Sequence, residues 1–351
     1  MKVHLVSGGC SFIGRNLVKR LYETTNDTIL FIDDLSTGAP PSAWLDVEQV
    51  GNKEDLAIFG PEERLLFLQD DFRNWLSAMT ANPDYLQEKY GLPITRISDV
   101  FHFAAIQNTP QKDNNSINVG LNLAIDAEFF AWVSQHQPER VLYASTSDIY
   151  TNAALSKEET SLGLVKSTIN AKDLPTPDTL FSWSKLTGEY LAQTTAQNYG
   201  VSISCIRLFT AYGGDQGLSA SIPAIAARII RQEDPLMVMG AGQQRSDYIH
   251  ITDVLDGIFK AMDSIKDGSA INIGSGQLTS LLEIIHTLCD IADYEPTIQQ
   301  TLAHPTVSKT PYANLLEIKE KLDWTPKISM EEGLVDIYQT ALERERAAEV
   351  V

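Results

Sequence analysis

Cysteine is scarce. Among 351 residues only Cys10, Cys205 and Cys289 occur, an odd set without metal-ligand spacing. A chain of this size needs no disulfide framework, and the set fits a reducing cytoplasm. Positive charge is also short, with 27 Lys and Arg against 46 Asp and Glu and a formal net charge of −19. That balance argues against nonspecific attraction to nucleic acid or to an anionic membrane surface, so an anionic ligand must be held by a few placed cations. No stretch approaches the ~20 apolar residues of a membrane helix, and the N-terminus runs straight into a glycine turn. The expectation is a cytoplasmic protein, neither secreted nor membrane-spanning. Internal repeats, low-complexity tracts and charged tails are lacking as well, so no repeat or tail architecture is called for.

What is present reads as an ordinary globular chain, 43% hydrophobic and 21% charged. The length suits one large unit or two lobes with a cleft between them. Short apolar runs at Val3–Val6, Thr28–Ile32, Leu65–Leu68, Val100–Phe103, Val141–Ala144 and Val201–Leu208 predict buried strands. Segments of helical period, such as Ile13, Leu17, Val18 and Leu21, alternate with them. The fold class is α/β, a Rossmann-like doubly wound parallel sheet. After Arg207 the loops lengthen and short strands mix with helices. Residues 1–207 are expected to form the nucleotide-binding domain and 208–351 a smaller C-terminal substrate-binding lobe, with the chain crossing back once. Gly38–Glu63 and Trp75–Ile97 exceed a minimal connection and predict helical elaborations on the rim.

Ser7–Gly14, Ser-Gly-Gly-Cys-Ser-Phe-Ile-Gly, follows the first strand and opens the first helix. There, backbone N–H groups and the helix dipole can hold a pyrophosphate. Asp33 ends the second strand, where a carboxylate can accept from the adenosine ribose hydroxyls and would repel a 2′-phosphate, favouring NAD over NADP.

From these residues onward nearly the whole chain resembles the extended short-chain dehydrogenase/reductase family, specifically its nucleotide-sugar epimerases, dehydratases and decarboxylases. That family's loop reads Gly-x-x-Gly-x-x-Gly. Gly8 and Gly14 match, Ser11 replaces the middle glycine, and Phe12 and Ile13 complete the turn. The resemblance further implies Asp71-Phe72 at the adenine and His102-Phe103-Ala104-Ala105 beside the cofactor, with a helix beginning near Asn118. A structural histidine is the favoured reading of His102.

Ser145-Thr146-Ser147-Asp148-Ile149-Tyr150 looks like the family's Ser-Ser/Thr-x-x-x-Tyr segment. By that likeness Thr146 hydrogen-bonds the sugar oxygen being oxidised. Asp148 stands where dehydratases and decarboxylases often carry an acid able to move a proton; a loop aspartate capping N–H groups is the alternative. Phe181-Ser-Trp-Ser-Lys185 matches the family's Tyr-x-x-x-Lys helix, with Lys185 retained and the tyrosine replaced by Phe181. Residues four apart on a helix share a face, so the lysine can serve the nicotinamide ribose and a neighbouring phenol, but phenylalanine carries no proton. A second Tyr-x-x-x-Lys, Tyr85 to Lys89, lies in the rim segment and is read as coincidence.

Thr210 replaces the asparagine of the family's Arg-x-x-Asn-x-Tyr-Gly stretch, which begins here at Arg207. Gly240–Asp253 resembles its Gly-x-Gly-x-Gln-x-Arg-Asp-x-x-x-Val-x-Asp segment, and the resemblance makes Arg245 the grip on a diphosphate and Asp247 an orienting group. The implied protein is an NAD-dependent nucleotide-sugar epimerase or dehydratase acting through a keto intermediate, impaired at Phe181, and a homodimer. A decarboxylase, a net dehydrogenase or a catalytically silent NAD-binding protein remain alternatives.

Overall fold

The computed structural model describes residues 2–106, 116–150, 177–238, 242, 244–301 and 312–349. The chain runs β1 (Val3–Ser7), α1 (Phe12–Thr24), β2 (Thr28–Asp33), β3 (Gln49–Lys53), β4 (Leu56–Phe59), β5 (Leu65–Gln69), α2 (Phe72–Ala81), α3 (Tyr85–Tyr90), β6 (Asp99–His102), α4 (Ser116–His136), β7 (Arg140–Thr146), α5 (Leu180–Tyr199) and β8 (Ser202–Leu208). It continues through β9 (Thr210–Tyr212), α6 (Ser221–Ile230), β10 (Leu236–Val238), β11 (Arg245–His250), α7 (Ile251–Ser264), β12 (Asp267–Ile273), β13 (Leu278–Ser280), α8 (Leu281–Ala292), β14 (Ile298–Gln300), α9 (Leu315–Leu322) and α10 (Met330–Glu349). Two compact units result. Among the described residues, the first takes those up to Arg207 together with Ile258–Ile271, and the second takes Leu208–Gly257 and those from Asn272 onward.

The first unit is built on a nine-stranded sheet in the order β12-β8-β7-β6-β1-β2-β5-β4-β3. β1 runs parallel to β2 and β6, β2 to β5, and β6 to β7. The continuous apolar runs explain it: Leu30, Phe31 and Ile32, like Val141, Leu142 and Tyr143, are fully buried, as expected for strands covered on both faces. This is the doubly wound α/β sheet. Chain order reverses between β1 and β6, so the loops after these strands diverge and leave a crevice at their C-terminal ends, the usual ligand position in such sheets.

The rim segments differ from each other. Trp75–Ile97 contains helices, α2 and α3. Gly38–Glu63 does not: beyond a short 3-10 turn at Pro41–Ala43 it forms the antiparallel hairpin β3–β4, which extends the sheet beside β5. Leu56 and Ile58 are buried with half-buried Ala57 between them, the two-residue period of a strand.

The second unit carries the small sheets β13-β11-β9 and β10-β14. Its core joins Tyr212, Ile225, Leu236, Ile284, Leu288 and Leu334 from strands and from α6, α8 and α10. No helix among the described residues is long and apolar enough to cross a membrane.

Candidate active site

The glycine loop leaves β1 at Gly8, whose φ of 68° suits a residue without a side chain, and a Cβ there would stand 2.9 Å from the backbone N of Ala104. At Gly14 a Cβ would collide with the carbonyl of Gly8. Between them Ser11 is the N-cap of α1, with extended backbone (φ −66°, ψ 167°). Its hydroxyl donates to the Gly8 carbonyl at 2.7 Å and accepts from the Gly14 N–H at 3.2 Å. A serine therefore fits the family's middle-glycine position without strain and braces the loop. Phe12 and Ile13 form the first turn of α1, where N–H groups lack intrahelical acceptors. This cradle, too tight for side chains at Gly8 and Gly14 and open at a helix N-terminus, suits the diphosphate of a dinucleotide.

Asp33 ends β2. Its carboxylate accepts from the N–H of Cys10 and of Leu35, each at 2.9 Å. Burial pushes its pKa up against the pull of those two bonds. A carboxylate has about four acceptor positions, so this bracing leaves capacity for ribose hydroxyls. Asp71 follows β5 as the N-cap of α2. It accepts from the N–H of Arg73 at 3.0 Å and pairs with the Arg73 guanidinium at 2.6 Å, and those bonds hold its carboxyl below the usual range. Phe72 turns into the core, stacked on Trp75 at 5.8 Å, which leaves its backbone as the part able to meet a cofactor.

After β6, the N–H of Ala104 donates to Ser7 Oγ at 3.3 Å, and Asn122 of α4 bonds both the N–H and the carbonyl of Ile106. Ala104 and Ala105 are half-buried. His102 is fully buried and bonded at both ring nitrogens, Nδ1 to Ser7 Oγ at 2.7 Å and Nε2 to Asp126 Oδ1 at 3.2 Å. Burial lowers its pKa, so it is a neutral structural link.

Thr146 ends β7, and its hydroxyl accepts from the N–H of Asp148 at 3.1 Å. The Asp148 side chain reaches solvent, yet the protein packed around its carboxyl raises the pKa; Asp178 adds to this and Thr146 opposes it. Lys185 is 4% exposed on α5. Its Nζ lies 4.9 Å from the centre of the Tyr143 ring and 6.0 Å from that of Phe181. Burial lowers its pKa, with the charges of Asp126 and Glu189 among those opposing.

Gly8, Asp33, Asp71, Ala104 and Thr146 thus follow five strands whose C-terminal ends share one sheet edge. Tyr85 and Lys89 are elsewhere on the rim, joined at 3.1 Å and tied to Asp55 of the hairpin.

One network escaped sequence reasoning. Arg207 of β8 donates to both carboxylate oxygens of Glu189 at 2.9 and 2.7 Å and to Tyr150 Oη at 2.6 Å. Ser145 donates to the same glutamate, so the residue before Thr146 is anchored to the helix of Lys185. Asp126 escaped too, although Asn118, Asn122 and Asp126 recur every four residues along an otherwise apolar helix.

In the second unit, Thr210 opens β9, exposed and paired in register with Tyr248. Arg245 is exposed and bonded to Glu283 at 3.0 Å and to the carbonyl of Leu278 at 3.3 Å. It stands two residues before Asp247, whereas the family motif carries its arginine next to the aspartate. That position is Ser246, on the opposite face of the strand. Asp247 is buried and accepts from Ser275, Gly276 and Ala313, the orienting part expected of it. Gly240, Ala241 and Gln243 lie outside the described residues.

Comparison with known proteins agrees with this geometry. Residues 4–274 match the profile of the NAD dependent epimerase/dehydratase family, and the chain belongs to that family. The uncharacterized UDP-glucose epimerase YtcB of Bacillus subtilis (strain 168) is 26% identical over 340 residues, 96% of each chain. The UDP-glucuronate 4-epimerase of Thermodesulfobacterium geofontis is 26% identical, covering 95% of this chain and 94% of its own. In structure, the UDP-glucose 4-epimerase of Thermotoga maritima superposes with a TM-score of 0.74 at 21% identity, covering 98% and 99% of the two chains. The family's cofactor is NAD.

Proposed function

We propose that this chain is a nucleotide-sugar epimerase or dehydratase that oxidises a sugar carbon, usually C4, transiently to a ketone, with Phe181 at its proton-transfer position. The reading is carried by one observation: the glycine cradle, Asp33, Thr146 and the strand end beside Lys185 share one sheet edge. Relatives named as UDP-glucose and UDP-glucuronate epimerases support it.

Gly8, Ser11, Phe12, Ile13 and Gly14 would hold the NAD diphosphate through backbone N–H groups, since the Ser11 hydroxyl is committed to the loop. Asp33 would hold the adenosine ribose, Asp71 and the Phe72 backbone the adenine, and Ala104, Ala105 and Lys185 the nicotinamide end. When bound, NAD supplies the hydride acceptor and donor. Thr146 orients the sugar oxygen by hydrogen bonding. Asp148, with its raised pKa, suits proton movement at a carbon made acidic by the neighbouring ketone. Arg245 would exchange Glu283 for a phosphate, with Thr210 as a further polar contact for the nucleotide sugar.

A homodimer through α4 and α5 belongs to the same reading. Trp183 and Tyr190 on α5 and Ile117 on α4 are 47%, 68% and 66% exposed, and such large apolar residues on packed neighbouring helices suit self-association. The three cysteines are free and buried, in keeping with a cytoplasmic location. A second reading, a silent NAD-binding protein, is favoured by Phe181 and by Ser246 and Thr210 at positions where the motifs carry arginine and asparagine.

The test is mass spectrometry of products from UDP-, GDP-, CDP- and dTDP-sugars incubated with the protein and with Phe181→Tyr. Conversion, by the tyrosine form at least, is expected. Bound NAD with conversion by neither form would favour the silent protein.

A further inference from the structure

Two carboxylates act on the buried cation Lys185, Asp126 of α4 and Glu189 of its own helix, and both are bonded elsewhere. Their charge balance differs. Glu189 is neutralised by the two-pronged bond from Arg207. Asp126 is 2% exposed, and its bonds come from neutral donors, Tyr143 Oη at 2.7 Å and His102 Nε2 at 3.2 Å. The remaining titratable groups turned toward Lys185 are His102 of β6, Tyr143 of β7 and Cys205 of β8. Burial holds all three in their neutral forms. One negative and one positive charge are therefore left facing each other in the same interior, and an isolated buried charge of either sign would be costly.

The ring of Tyr143 stands between them, with Nζ over its face at 4.9 Å and its hydroxyl on the carboxylate. Gly188 makes the arrangement possible: a Cβ there would strike the Tyr143 hydroxyl and lie 2.7 Å from Asp126 Oδ2. A direct ion pair would occupy the ammonium's donors. Opposition across a ring does not.

We propose that Asp126 is a positioning residue that balances Lys185 across the Tyr143 ring, leaving the three N–H donors of Nζ for the cofactor. The last clause rests on the functional reading of Lys185; the charge coupling does not.

The test is a pH titration of [ε-13C]lysine-labelled full-length protein by NMR without cofactor, the Lys185 signal being identified by its loss in Lys185→Arg. In Asp126→Asn the midpoint of Lys185 is expected to fall by at least about one pH unit, a tenfold change in its protonation equilibrium. Tyr143→Phe, which keeps ring and carboxylate, should move it less than half as far. An unchanged midpoint in folded Asp126→Asn overturns the proposal. Should that variant not fold, the [γ-13C]aspartate signal of Asp126 in the parent protein must show an inflection at the Lys185 midpoint, and its absence overturns the proposal equally. NAD affinity then separates positioning from structure. Asp126→Asn should bind as the parent near pH 6 and at least tenfold more weakly near pH 9, whereas equal loss at both overturns the positioning role. A parent protein that binds no NAD removes the reading of Lys185 as a cofactor residue while the titration still decides the coupling.

Discussion

The ammonium of Lys185 lies 6.0 Å from the centre of the Phe181 ring, four positions away along α5. Residues at that spacing share a helix face, so an apolar ring occupies the place from which a phenol could pass a proton. The half-buried ring already has the shape of tyrosine, and one added oxygen restores an acid–base group beside a cation able to lower its pKa. Phe181→Tyr is expected to raise turnover by about 10²–10⁴-fold, the usual contribution of a positioned general base. Initial rates on the sugar nucleotide converted best provide the check, and a tyrosine variant no faster than its parent would count against the assignment.

Ser11 and Gly8 answer to different constraints. The Ser11 hydroxyl caps α1, so Ser11→Ala should cost about 1 kcal/mol and Ser11→Gly only a few tenths, read as shifts in the urea midpoint. Gly8→Ala faces both a left-handed φ of 68° and backbone 2.9 Å away. It should cost about 1–2 kcal/mol and reduce NAD affinity at least about tenfold by calorimetry. Wild-type affinity in Gly8→Ala would mean that the cofactor does not rest on this loop.

The parts of the site readable in the sequence are those carried by local pattern. The glycine turn between an apolar run and a helical period, Asp33 at a strand end, and the four-residue spacing of Phe181 and Lys185 each sit within one short segment. Groups joined only by the fold were not readable: Glu189 meets Arg207 across 18 positions and His102 meets Asp126 across 24. The hairpin was misread because β3 is an edge strand with four of its five residues exposed, so it carries little apolar period. At Arg245 a shift of one residue was invisible in a motif but decisive on a strand, where it reverses the face.

Arg207 and Glu189 are 1% and 0% exposed at their side chains, 2.7 Å apart. Removing one partner strands the other in the interior, so Arg207→Met or Glu189→Gln should cost about 3–5 kcal/mol. Because Ser145 shares the glutamate, loss of the pair should also lower kcat more than it raises KM, through the strand end that carries Thr146. Denaturant melts and steady-state kinetics test the two effects separately. A cost below about 1 kcal/mol would mean that the interior relaxes or admits water around the remaining charge.

Asp99 supplies the pH dependence. It is 1% exposed, its two oxygens accept from Arg140 at 2.8 Å each, and His4 Nδ1 lies 3.2 Å away. Burial alone would push the carboxyl up, but the bonds from Arg140 and His4 more than offset it and hold the group well below the usual carboxylate range. A carboxyl with a folded pKa below its unfolded value, about 3.9, stabilises fully above that value. The contribution fades as pH falls from about 5 through the unfolded value toward the folded one. Asp99→Asn should therefore be less stable than wild type by about 2 kcal/mol near pH 7, less than a fully buried pair because the Arg140 side chain is 29% exposed. The gap should close as the pH drops to about 3. Guanidinium melts of both proteins across that range measure it, and a gap independent of pH would assign the loss to packing rather than to the charge of Asp99.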